Sequence, residues 1–168
     1  MKRFILLMAC ILGLFSSINA QLEVQIGQGS ATNTNLPTNL YYGYCVSQQI
    51  YTAEDMQGAV GSITGISVKL ASPAINVNRD FAIYMVNTDK SSFESDYDWY
   101  PVTQNDLVYD GIVTFNGYDG DLVTINFQTP FEYTGENLIL YICDKTGDFA
   151  STTRFYTWAS AASRSLRV

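Results

Sequence analysis

The sequence predicts an all-β fold of antiparallel strands, a sandwich or a barrel. Three observations carry this. Short β-prone segments with alternating apolar residues recur along the whole chain. Turn signals such as Asn116-Gly117 and Asp119-Gly120 separate them. After residue 21 no stretch has the 3.6-residue period of a long helix.

The first twenty residues are a separate matter. Lys2 and Arg3 precede an apolar run from Phe4 to Phe15, and Ser16 to Ala20 is small and polar. This is the layout of a signal peptide, residues 1–20, cleaved after Ala20. The run is shorter than the roughly 20 apolar residues a membrane span needs. Leu7-Met8-Ala9-Cys10 loosely resembles a lipoprotein signal, but the apolar run continues past Cys10. Residues 21–168 then form a single domain, exported and secreted or held at the outer cell surface, with no transmembrane segment in the mature chain.

Leu22 to Ile26 alternates as a half-buried strand, and 27–39 reads as a loop. Tyr41 to Tyr51 is aromatic and β-branched, a second strand. Ser62 to Leu70 turns Ile66, Val68 and Leu70 inward and Ser67 and Lys69 outward. Asp80 to Val86 is apolar on both faces: Phe81, Ile83 and Met85 on one, Ala82, Tyr84 and Val86 on the other. A strand of that kind belongs in the middle of a sheet with material packed on each side. Residues 102–106 suit one helical or 3₁₀ turn. Leu107 to Phe115 is a strand bent at Asp110-Gly111. Leu122 to Phe127 alternates until Pro130 interrupts it. Asn137 to Cys143 is again apolar on both faces, and Thr152 to Trp158 and Ser165 to Val168 are the last candidates. The expected core is Phe81, Ile83, Met85, Val123, Ile125, Phe127, Leu138 and Leu140.

Composition excludes several functions. The chain has no histidine, which removes Ser-His-Asp and Cys-His catalysis and the usual zinc sites. Loss of Lys2 and Arg3 leaves seven basic residues against sixteen acidic, a net charge of −9. Such a surface repels nucleic acid. Sixteen carboxylates make some glycosidase-like pair inevitable, so no pair is informative, and no enzyme is expected. Cys45 and Cys143 remain in the mature chain. In an oxidising compartment they either pair as a disulfide or stay as two buried thiols.

The polar loop after the central strand holds the candidate site. Tyr97, Trp99 and Tyr100 could stack on sugar rings, or Trp99 could plug the end of the core. Tyr41, Tyr42, Tyr44 and Tyr118 carry the same ambiguity. Asp89, Asp96 and Asp98 lie within ten residues of one loop and could supply oxygens to calcium, or stand as solvated charge. Asp119 with Asp121, and Asp144 with Asp148, are further acidic loops without EF-hand spacing.

Several segments resemble a β-sandwich module of large secreted and surface proteins of Bacteroidetes bacteria. They are Ile26-Gly27 with its loop and Leu36-Pro37, Gln48 to Glu54, Ile83 to Val86 with Thr88-Asp89-Lys90 and Phe93, Asp106-Leu107-Val108 with Gly111, and Thr129 to Tyr133 with Gly135, Asn137 and Leu138. The resemblance implies an antiparallel two-sheet β-sandwich, jelly-roll-like and related to adhesin and carbohydrate-binding modules. It implies no settled ligand and no catalytic set, and it favours a structural Ca2+ of the kind jelly rolls often hold without choosing a loop. One functional expectation is a binding module, with a glycan or a host surface protein as partner. The module would be expected to run on beyond Val168, so a C-terminal truncation is one expectation. The other functional expectation is a structural spacer without its own ligand.

Overall fold

A computed structural model describes residues 22–168; the expected signal peptide lies outside the described residues. The strands are β1 (Ala31–Asn33), β2 (Cys45–Tyr51), β3 (Gly61–Lys69), β4 (Ala74–Thr88), β5 (Leu107–Gly117), β6 (Leu122–Tyr133), β7 (Asn137–Asp144), β8 (Phe155–Thr157) and β9 (Ser165–Arg167). A 3₁₀ turn at Gln104–Asp106 precedes β5, closed by the Thr103 and Asp106 side chains.

One layer is a five-stranded antiparallel sheet in the order β5-β4-β7-β2-β9. The other holds the pairs β3-β6 and β1-β8, joined by a bridge between Leu70 and Phe155. The chain changes layer at every connection except β4 to β5, so neighbours in the large sheet are mostly distant in sequence. The fold is an all-β, antiparallel sandwich. The two double-faced strands, β4 and β7, are interior and pair with each other from Phe81↔Asp144 to Thr88↔Asn137.

Seven of the eight expected core residues are buried, and the eighth, Phe127, is partly buried against them. Phe81, Ile83, Met85, Leu138, Leu140 and Ile142 fill the inner face of the large sheet. Val123 and Ile125 answer them from β6. Phe115 joins the layers, its ring centroid 5.9 Å from Phe81 and 5.8 Å from Phe155. Arg79 ends the inner row of β4 beside Asp144, and both side chains are buried as an ion pair.

Several expectations are corrected. Leu22 to Ile26 is not a strand; the chain turns at Gly27 (φ 76°), and β1 forms instead inside the expected loop. A Cβ at Gly27 would lie 2.6 Å from the Trp158 ring, so glycine allows that packing. β2 starts at Cys45, leaving Tyr41, Tyr42 and Tyr44 in an exposed turn. β4 runs for 15 residues, twice the expected length. β6 continues through Pro130. The β3–β6 register shifts between Ile63 and Gly65, so Pro130 falls where its missing N–H breaks no ladder bond.

Two measurements follow. Met85 is 2% exposed within the main core, so Met85→Ala should lower stability by about 2–5 kcal/mol, read as a lower denaturant midpoint. Burial, with help from the charge of Asp55, pushes the Tyr51 phenol up to about 12. An unfolded tyrosine ionises near 10. Between those values the unfolded chain has lost a proton that the folded chain keeps. Stability present below pH 10 therefore falls as pH rises toward 12. Urea titrations across that window should show a shallower fall for Tyr51→Phe than for wild type.

Candidate functional site

The chain from Asp89 to Thr103 folds back over the outer face of the large sheet. Phe93 directs it. This ring is 4% exposed and packs with Ile50, Ile139 and Leu166, while Val86, Trp99 and Tyr100 close around them. The Val86–Ile139 end of the outer apolar face of β4 and β7 is thus covered by a loop instead of a third sheet, while Tyr84 and Tyr141 farther along are partly exposed.

Polar contacts fix the loop at three places. The buried Gln48 side chain donates from Nε2 to the Tyr100 carbonyl (2.6 Å) and accepts from the Tyr100 N–H (2.8 Å). The Asn137 amide donates to the carbonyls of Asp89 (3.3 Å) and Lys90 (3.2 Å). The Phe93 N–H donates to the Ser163 carbonyl at 2.7 Å.

These restraints leave an open cleft of about 520 Å³ lined by Asp89, Lys90, Glu94, Asp98, Trp99 and Tyr100, with Ser91, Ser92 and Pro101. Trp99 is partly buried: it packs on the apolar cluster and also lines the cleft. Lys90 Nζ sits 2.6 Å from Asp98 Oδ2 and 5.9 Å from the Phe93 ring centroid. Its hydrogen bond, and then that of the Glu94 N–H (2.8 Å), hold the Asp98 carboxyl below the usual carboxylate range.

Four of the six expected loop residues line the cleft: Trp99, Tyr100, Asp89 and Asp98. Tyr97 is 91% exposed and stands apart, as does the exposed Asp96. Of the expected calcium ligands Asp89, Asp96 and Asp98, Asp89 and Asp98 line the cleft, Asp98 is paired with Lys90, and Asp96 stands exposed apart from them. Among the described residues no three His, Cys, Asp or Glu side chains gather as metal ligands. The other acidic loops are bonded internally: Asp121 accepts from the Tyr118 N–H, Asp119 from the Tyr156 hydroxyl, and Asp144 pairs with Arg79.

Cys45 and Cys143 are free. Cys45 pairs with Asp144, and Cys143 with Val46, so alternation sends the two thiols to opposite faces of the sheet. Of the two expectations, separate thiols are what the register gives. Burial pushes the Cys143 thiol up, away from reactivity.

Sequence reasoning missed Gln48, Lys90 and Phe93. Phe93 had a signal, as an apolar residue in a polar loop. Gln48 had none, since its partner lies 52 residues away.

No protein-family profile, curated protein or solved structure matches this chain. Among the described residues no helix is long and apolar enough to cross a membrane.

Gln48→Leu would leave the Tyr100 N–H and carbonyl without partners in a buried setting. It should cost about 1–3 kcal/mol. Because Trp99 adjoins Tyr100, acrylamide quenching of its fluorescence should rise in the same variant, compared in a Trp158→Phe background.

Proposed function

We propose that this chain is an exported, non-catalytic β-sandwich module that binds a glycan in the cleft beside Trp99. The observation that carries this reading is the cleft itself. Two aromatic residues and three carboxylates meet there with Lys90 and two serines. Aromatic faces stack against the C–H faces of sugars, and carboxylates and hydroxyls bond their hydroxyl groups. A glycan carried on a host surface protein would present the same chemistry. The likeness to surface modules of Bacteroidetes points the same way, and the reading requires no calcium ion.

A spacer without a ligand is the second reading. The packing of Trp99 on the cluster of Ile50, Phe93 and Ile139 favours it, because that contact alone accounts for the ring's position.

Glycan-array binding of wild type, Trp99→Ala, Glu94→Gln and Tyr97→Ala separates the two. Under the binding reading, Trp99→Ala and Glu94→Gln weaken binding at least tenfold and Tyr97→Ala leaves it unchanged. A silent array, with and without calcium, favours the spacer.

A further inference from the structure

The cleft lies toward the Thr88–Asn137 end of the central strand pair. The opposite end, at Arg79 and Asp144, carries an aromatic patch that the reading above does not use. Tyr41, Tyr42, Tyr44 and Phe149 are 47, 52, 71 and 71% exposed. The Tyr41 ring lies 5.2 Å from Tyr42 and 5.9 Å from Phe149, centroid to centroid.

The two segments that bear these rings are held rigidly. The Gly147 N–H donates to the Gly43 carbonyl at 2.8 Å. Arg79 donates to the carbonyls of Asp148 (2.9 Å) and Tyr42. A Cβ on Gly43 would stand 2.9 Å from the Gly147 carbonyl carbon, so the approach of the two turns requires glycine there. Burial cannot explain Tyr44 and Phe149, which are mostly in solvent, and leaves about half of Tyr41 and Tyr42 exposed. Fixed, clustered and exposed aromatics mark a contact surface.

The surroundings select the ligand. A shallow hollow of about 240 Å³ borders Phe149; its polar lining is Asn76, Asn78, Arg79, Thr146, Asp148 and Ser151, with Val77 and Ala150 beside them. Arg79 is buried and fully engaged. Lys145, two residues before Gly147, is paired with Asp110 (2.5 Å) and Asp80 (3.2 Å). Asp148 therefore faces the hollow without a cation offered to an anionic ligand. Rings flanked by amides, hydroxyls and one carboxylate fit the apolar faces and hydroxyl edges of a neutral sugar chain.

We propose that Tyr41, Tyr42, Tyr44 and Phe149 form a second binding face, specific for neutral oligosaccharides, at the end of the sandwich opposite the cleft. Arg79 and Thr88 are nine residue steps apart on β4, about 30 Å at 3.3 Å per residue, so the patch and the Asp89–Lys90 wall of the cleft lie at opposite ends of the strand. This face stands or falls independently of the cleft.

Calorimetric titration with soluble hexasaccharides of β-1,4-glucose, β-1,4-xylose and α-1,6-mannose, and with a galacturonate hexamer, provides the test. At least one neutral hexasaccharide should bind wild type and Trp99→Ala alike. The double variant Tyr44→Ser with Phe149→Ser should bind it at least tenfold more weakly, with an unchanged melting temperature because both side chains are exposed. Absence of binding to every neutral probe overturns the proposal. So does binding that survives in the double variant but fails in Trp99→Ala, which would assign it to the cleft, or preferential binding of the galacturonate hexamer. A wild-type dimer in sedimentation that the double variant dissolves would also overturn it, by assigning the patch to contact between copies.

Discussion

The ion pair between Arg79 and Asp144 is the constraint on which the rest of the sandwich depends. The side chains are 1% and 0% exposed, and removing two charges from water costs several kcal/mol per ion. The geometry offsets that cost by leaving little unbonded. Arg79 Nε and Nη2 both reach Asp144 Oδ2, at 2.7 and 2.5 Å. The other carboxylate oxygen accepts from the Thr146 N–H (3.0 Å) and hydroxyl (2.6 Å). The guanidinium's remaining contacts go to the carbonyls of Tyr42 and Asp148. A well-packed apolar pair could be equally stable. What the charges add is position: a register slip of β4 against β7 would leave two buried charges unpaired. The pair therefore fixes the central strands and both turns beyond them.

The same central strands create a second problem, since β4 and β7 are apolar on the face away from the sandwich core. The chain covers the Val86–Ile139 end of that face with the segment around Phe93, which lacks strand hydrogen bonds of its own. Gln48 supplies them through a primary amide, which carries the same donor and acceptor as a peptide group. Gln128 does likewise at Asp110, accepting from its N–H (3.0 Å) and donating to its carbonyl (2.8 Å). In both places one side chain satisfies a backbone pair that no neighbouring strand reaches. Covering a sheet with a loop in this way leaves gaps that a complete strand would fill. The cleft beside Trp99 is one such gap.

What the sequence reveals here divides along physical lines. Alternation is local, so the sandwich class, the interior placement of β4 and β7 and nearly all of the core are readable from residue order. Elements that depend on distant partners are not. Leu22 to Ile26 alternates well, yet among the described residues no strand pairs with it, and Gly27 packs against Trp158. Tyr41 to Tyr44 is as β-prone as the strand it precedes, but Arg79 and Gly147 hold it as a turn. The aspartates near Trp99 are close in sequence, and proximity alone could not show that Lys90 binds Asp98. For the candidate site, the aromatic and acidic residues were legible as a loop; which of them share a wall was not.

Both candidate binding faces lie near the ends of the same strand pair, and this follows from where rigidity is available. A loop leaving an edge strand is anchored from one side only. A loop leaving β4 or β7 emerges between hydrogen-bonded neighbours on both sides and can be gripped by residues of either. At one end Asn137 holds the carbonyls of Asp89 and Lys90 while its Oδ1 accepts the Ala53 N–H at 3.0 Å. At the other end Arg79 and Asp144 do the equivalent for the turns at Tyr42, Thr146 and Asp148. Aromatic rings fixed in this manner lose little freedom when a ligand arrives, so more of the contact energy remains as affinity. The double-faced strands at the centre of the sheet thus provide both the core of the fold and the firmest supports for exposed rings at its two ends.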